Sequence, residues 1–170
     1  MPLVHHNIEK LIEVRELLIQ ISSDLYTKPL SILDGSTIGG HVRHILEFVD
    51  CVRKGSENGI ISFDDRERSI LIETNREIAK QSIEDLIIYL GSIKEDGDLL
   101  LKANYSSESD DSMFISTSLY RELAYTLDHT VHHLAIVKIA LSQEELDFEL
   151  GSGFGVAPST IRFRKELQTN

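Results

Sequence analysis

Histidine is the residue whose spacing in this chain points to chemistry. Seven are present, three of them in DHTVHHLA, residues 128–135. His129 and His133 stand four apart. On an α-helix that spacing puts both rings on one face, with Cβ atoms about 5–6 Å apart. Two imidazoles so placed can bind one divalent ion at about 2.0–2.1 Å each. His132 points roughly 60° away from His129 by helical rotation. A zinc-protease helix carries a glutamate directly after its first histidine. Thr130 fills that place here, so the chain lacks that general base.

A metal needs a third ligand, and GGHVRHILE supplies His41 and His44, three apart. On a helical wheel His41 lies about 60° from the centre of the apolar face and His44 about 120° from it. The wheel alone therefore prefers His41, and the choice stays open between the two. The second histidine-bearing helix does not decide it, because residues 131–141 are apolar nearly all round.

Three further features carry less. Glu122 stands seven residues before His129, about 10.5 Å along a helix. That is too far for direct ligation but within reach of a substrate above the ion. Its plain reading is a solvated helix charge. Gly151, Gly153 and Gly155 form a GxGxG with no helix after it in a βαβ setting, so a turn accounts for it better than a nucleotide site. Cys51 reads as a packed small apolar group.

The elements that must hold these residues are helical. Apolar residues recur every three or four positions from Val4 to Ile19, predicting a first helix over residues 2–25. Asp34-Gly35-Ser36-Thr37 is a loop with helix-starting residues, and a second helix follows over 38–52. FDDRERSILIE, from Phe63 to Glu73, reads as a short extra helix outside the bundle. A third helix begins near Thr74-Asn75-Arg76-Glu77 and runs to about 93, with Ser82-x-x-Asp85 as a rival start. Residues 99–105 have the makings of an extended stretch, and 106–112 form an acidic, serine-rich loop. A fourth helix spans about 117–142, capped by the hydroxyl of Thr117 or Ser118. The tail from Gly151 is expected to be irregular. The expected fold is all-α, an antiparallel four-helix bundle forming one domain over residues 1–170.

Bulk properties narrow the function classes. The chain of 170 residues carries 17 Lys and Arg against 28 Asp and Glu, a net charge of −11. So acidic a surface repels a phosphate backbone, which excludes nucleic acid as the expected partner. The apolar runs are too short to span a membrane. One cysteine allows no internal disulfide, and the first residues carry no secretory pattern. A cytoplasmic protein without a membrane partner is the expectation.

The sequence resembles the DinB superfamily, including its YfiT-like branch. The resemblance runs through STIGGHVRHILEF, FDDRERSILIETNREIA, DHTVHHLAIV and the closing FGVAPST. It implies a four-helix bundle binding a divalent metal through one histidine of the second helix and the later H-x-x-x-H pair. The family's second-helix histidine precedes an apolar pair and an acid, which here is His44-Ile45-Leu46-Glu47. The resemblance therefore selects His44, with His129 and His133, as ligands of zinc or nickel, and leaves His41 as the alternative. It further implies a small-molecule substrate, with a low-molecular-weight thiol as co-substrate of an S-transferase. Metal-dependent hydrolysis and a non-catalytic metal-binding or sensing role are the alternatives. Family members often pair as homodimers. No catalytic residue beyond the ligands is assigned.

Overall fold

In a computed structural model the chain is described over residues 1–169. The first helix, α1 (Pro2–Gln20), starts on a proline, which suits the first turn because its missing N–H has no partner there. Ile21 is extended and ends it; the Ser22 hydroxyl then accepts from Leu25 N–H and starts α2 (Ser23–Thr27). The expected single helix over 2–25 is thus two. After a 3-10 turn at Ser31–Leu33 comes α3 (Ile38–Asn58), capped by Thr37, whose hydroxyl accepts from Gly40 N–H at 2.9 Å. It outruns the expected end at 52 by six residues and stops at Gly59 in the left-handed region.

Next come β1 (Ile60–Ile61), the short α4 (Ile70–Thr74) and α5 (Arg76–Ser92). Asn75 caps α5 by accepting from Glu77 and Ile78 N–H, as the 74–77 reading expects, and Ser82 lies inside the helix. Two six-residue strands follow, β2 (Asp98–Ala103) and β3 (Met113–Ser118). The chain then enters α6 (Leu119–Leu141), where the Ser118 hydroxyl accepts from Arg121 N–H. The last helix is α7 (Pro158–Thr169).

The all-α expectation is overturned. Among the described residues, seven α-helices and a three-stranded mixed sheet make this an α/β chain. The order is β1-β2-β3, with β1 parallel to β2 and β2 antiparallel to β3. The reason lies in the strands themselves. β1 has two residues. β3 exposes its first four residues with no buried alternate face, so the period-2 signature of a half-buried strand is missing. The tail is corrected as well: Pro158 opens a helix where irregular chain was expected.

The long helices α1, α3, α5 and α6 share one core. Leu11 and Leu18, Ile45 and Val49, Ile83 and Leu90, and Leu123 and Val137 are all wholly buried or close to it. Helix α3 packs against both α5 and α6, and α1 packs against the same two. Helix α4 presses on the start of α3 so closely that a Cβ at Gly39 would meet the Glu73 carbonyl oxygen at 1.9 Å. Tyr26 ties the same corner, its hydroxyl donating to the Ile72 carbonyl at 2.6 Å. The predicted GxGxG turn is a turn: Gly155 takes φ +64° and lies where a Cβ would meet Ala135 N at 2.6 Å. Among the described residues no helix is long and apolar enough to cross a membrane.

Candidate metal centre

Helices α3 and α6 face each other through their histidines in two rungs. In the first, His44 Nε2 and His129 Nε2 are 2.9 Å apart. In the second, His41 Nδ1 and His133 Nδ1 are 2.9 Å apart. The earlier residue of one helix pairs with the later residue of the other, so the helices run in opposite directions here. Rings of His44 and His133 lie 4.5 Å apart between centroids, and those of His129 and His133 lie 4.6 Å apart.

One nitrogen from each of His44, His129 and His133 lies within 4.8 Å of the other two, so these three could hold a metal ion. No other histidine, cysteine, aspartate or glutamate among the described residues belongs to that group. Ligand nitrogens at about 2.05 Å in tetrahedral array stand about 3.3 Å apart. The His44–His129 contact needs to open by only a few tenths of an ångström to match. His41, the wheel's preference, touches His133 but stays outside the group, and His132 is exposed. His5 and His6 are exposed on α1, beside Glu9.

The electrostatics keep the imidazoles neutral. Burial pushes His44 down to about 4, assisted by the charges of His129, Arg66, His41 and Arg43. Burial also pushes His133 down to about 3, with the neighbouring histidines adding to it. His41 and His129 are lowered too, chiefly by burial. At neutral pH the nitrogens therefore carry no proton that a metal must displace from a cationic ring.

An aromatic wall flanks the group. The Phe48 ring stacks on His129 at 4.2 Å and on Phe63 at 4.7 Å. Tyr125 stacks on the His129 ring at 5.6 Å. The Arg66 guanidinium sits 5.9 Å from the Phe48 ring centroid. Sequence reasoning missed these four. A signal existed for two of them: Phe48 follows His44 by four residues, and Tyr125 precedes His129 by four, so each shares its histidine's helix face. Phe63 and Arg66 arrive on the 62–69 loop, where the sequence reading expected a short helix from Phe63 to Glu73; only Ile70–Thr74 is helical.

That loop is fixed by Glu47. The carboxylate is 5% exposed and accepts from Ser69 N–H at 2.6 Å. Its other oxygen stands 4.0 Å from Arg43 Nε and 3.9 Å from Arg66 Nε, and none of those three atoms has a hydrogen-bond partner. Arg43 Nη1 is paired with Glu73 at 2.6 Å. Behind this seam a cavity of about 880 Å³ opens between α3, the loop and α5; Glu47 and Arg66 line it, and no histidine does.

One reading is corrected here, that of Glu122, and one is borne out, that of Cys51. Glu122 is fully buried, not solvated, and accepts from Thr117 Oγ1 at 2.5 Å and Arg121 Nη1 at 2.9 Å. It does not join the histidine group. Cys51 is buried and burial pushes its thiol up to about 11, so it is a packed group without thiolate character at neutral pH.

No family model matches this chain, and no solved structure does. Over 110 residues the chain is 32% identical to a protein of Rhizopus delemar named FK506-binding protein 5. The match takes in 63% of this chain and 28% of that protein, so the chain spans less than a third of the relative's length.

Proposed function

We propose that this chain is a DinB-type, divalent-metal-dependent enzyme whose ligands are His44, His129 and His133, acting as a thiol-dependent S-transferase on a small molecule. The observation that carries the reading is the convergence of three neutral imidazole nitrogens within 4.8 Å, drawn from helices that are 85 residues apart in sequence. A structural zinc site normally has four protein ligands, whereas three leave a position for substrate. The donor set suits zinc or nickel. When bound, such an ion supplies Lewis acidity toward a thiol.

The protein's own groups account for the rest. Phe48, Phe63 and Tyr125 stack along one side of the site and offer ring faces to an organic substrate. Arg66 brings a cation to the same wall, suited to an anionic substituent. In the transfer the thiol sulfur forms a carbon–sulfur bond, the carbon–leaving-group bond breaks with its electron pair going to the leaving group, which departs to solvent as the anion, and the thiol proton passes to water. The negative surface of the chain argues for a small substrate over a polyanion.

The test uses untagged protein. Elemental analysis is expected to find stoichiometric zinc or nickel, or to find it after reconstitution. Conjugation of cysteine to 1-chloro-2,4-dinitrobenzene is expected to depend on that metal and to fail in His129→Ala. Full metal loading in His129→Ala overturns the site. Metal loading without any metal-dependent thiol consumption, across a panel of thiols and electrophiles, overturns the reaction class.

A further inference from the structure

His41 touches one member of the histidine group without belonging to it. Its Nδ1 is 2.9 Å from His133 Nδ1, with ring centroids 5.2 Å apart, yet it lies outside the group of mutually close nitrogens. From this geometry we infer that His41 is a positioning residue, which accepts a hydrogen bond from His133 Nδ1–H and so presents His133 Nε2 as the metal-binding atom.

The inference rests on the proposed metal site and follows from proton counting. A neutral imidazole carries one N–H and one lone pair, on different nitrogens. A contact of 2.9 Å between two ring nitrogens holds one proton. Were His41 the donor, His133 would carry its own hydrogen on Nε2 and have no lone pair left for an ion. Were His133 to ligate through Nδ1, it would give up the contact it already makes. Only the arrangement with His133 donating keeps both the observed contact and a free Nε2. His41 then carries its hydrogen on Nε2, pointing away from His133.

Such a partner fixes the ring of a metal ligand and raises its basicity, and its loss typically costs about 10–100-fold in metal affinity. His133 has added need of one, because it lies a helical turn from His129 on α6 and would otherwise be held only by packing.

The experiment is a zinc competition titration of the full chain against a chromophoric chelator, paired with visible spectra of the cobalt-substituted protein. His41→Ala is expected to weaken zinc about 10–100-fold while leaving the cobalt spectrum unchanged in shape. His41→Asn, whose amide oxygen stands where Nδ1 stood, is expected to recover most of that loss. His133→Ala is expected to lose more affinity than His41→Ala and to alter the spectrum. Wild-type affinity in His41→Ala overturns the inference, as does an asparagine variant as weak as the alanine one. A His41→Ala protein with an altered cobalt spectrum also overturns it, by making His41 a ligand. In each of these cases the loss of binding in His133→Ala leaves the metal site standing. A wild-type chain that binds no zinc overturns both.

Discussion

Replacing Glu47 by glutamine tests how the loop carrying Phe63 and Arg66 is held against the site. The carboxylate accepts from Ser69 N–H at 2.6 Å with one oxygen and faces Arg43 Nε and Arg66 Nε, at 4.0 and 3.9 Å, with the other. A glutamine of the same shape must keep its carbonyl oxygen on Ser69, which turns its NH₂ toward two N–H groups. Turning it the other way abandons Ser69. Either way Arg66 and Arg43 lose this carboxylate, although Arg43 keeps Glu73 beside its Nη1 at 2.6 Å. One such pair at 4 Å has a Coulomb energy of about 4 kcal/mol at an effective dielectric of about 20. Arg43 and Arg66 are each nearly a quarter exposed, so solvent screens part of it. The expected loss is about 2–4 kcal/mol, or a fall in Tm of about 5–15 °C for a chain of this size. Urea and thermal unfolding in the presence of a chelator measure it without metal linkage. A loss below about 0.5 kcal/mol would show that the seam adds nothing beyond a surface contact and refute the reasoning. Metal affinity should be unchanged in the same variant, since none of the three histidines rides on the 62–69 loop.

Three further outcomes are expected. Alanine at His44, His129 or His133 should each weaken zinc by about 100-fold or more, whereas His5→Ala and His6→Ala should not; competition titration decides, and wild-type binding in any of the first three removes that ligand. The metal-free chain should lose stability on acidification. His44 sits at about 4 and His133 at about 3 against an ordinary 6.5, so below pH 6.5 the unfolded chain takes up protons that the folded one refuses, until the folded values are reached. After allowance for partial exposure the loss between pH 7 and 5 should be about 1–3 kcal/mol, smaller in a His44→Gln/His133→Gln variant; equal losses in the two proteins would contradict it. Finally, fluorescence anisotropy with duplex DNA at physiological salt should show no binding by a chain of net charge −11, and tight salt-dependent binding would refute that.

Much of the helical layer was legible because its signals are local. Thr37, Asn75 and Ser118 each cap a helix with a hydroxyl or amide next to an apolar-periodic run. The i, i+4 spacing of His129 and His133 fixed their common face before any partner was known. Of the sheet only β2 was legible, as an extended stretch over 99–105; β1 has just two residues, and β3 buries neither face well. The wall of the site was half legible. Phe48 and Tyr125 repeat the histidine faces, but Arg66 and Phe63 reach them through Glu47 and Ser69, a contact across 22 residues with no sequence period. Glu122 misled because a helix charge is usually wet; Thr117 and Arg121 make its burial tolerable.

The proposed division between ligands and support follows from helix geometry. Along α3, His41 and His44 are three residues apart, a rise of about 4.5 Å and a turn of about −60°. Along α6, His129 and His133 are four apart, a rise of about 6 Å and a turn of about +40°. Two helices running in opposite directions can bring one such pair of rings onto a common point. The other pair must then miss it, since the rises differ by about 1.5 Å and the rotations splay rather than cancel. The His44–His129 rung meets nitrogen to nitrogen through the Nε2 atoms, at the far ends of the rings. The His41–His133 rung meets through Nδ1 atoms, nearer the backbones. His133 can still turn its outer nitrogen toward the first rung, whereas His41, rotated off the face of His44, reaches only His133. H-x-x-H opposite H-x-x-x-H thus yields three nitrogens around one point and a fourth ring behind them. One turn from His44 on the same face of α3 stand Gly40, which carries no side chain, and Phe48, whose ring has no donor atom, so neither adds a fourth ligand.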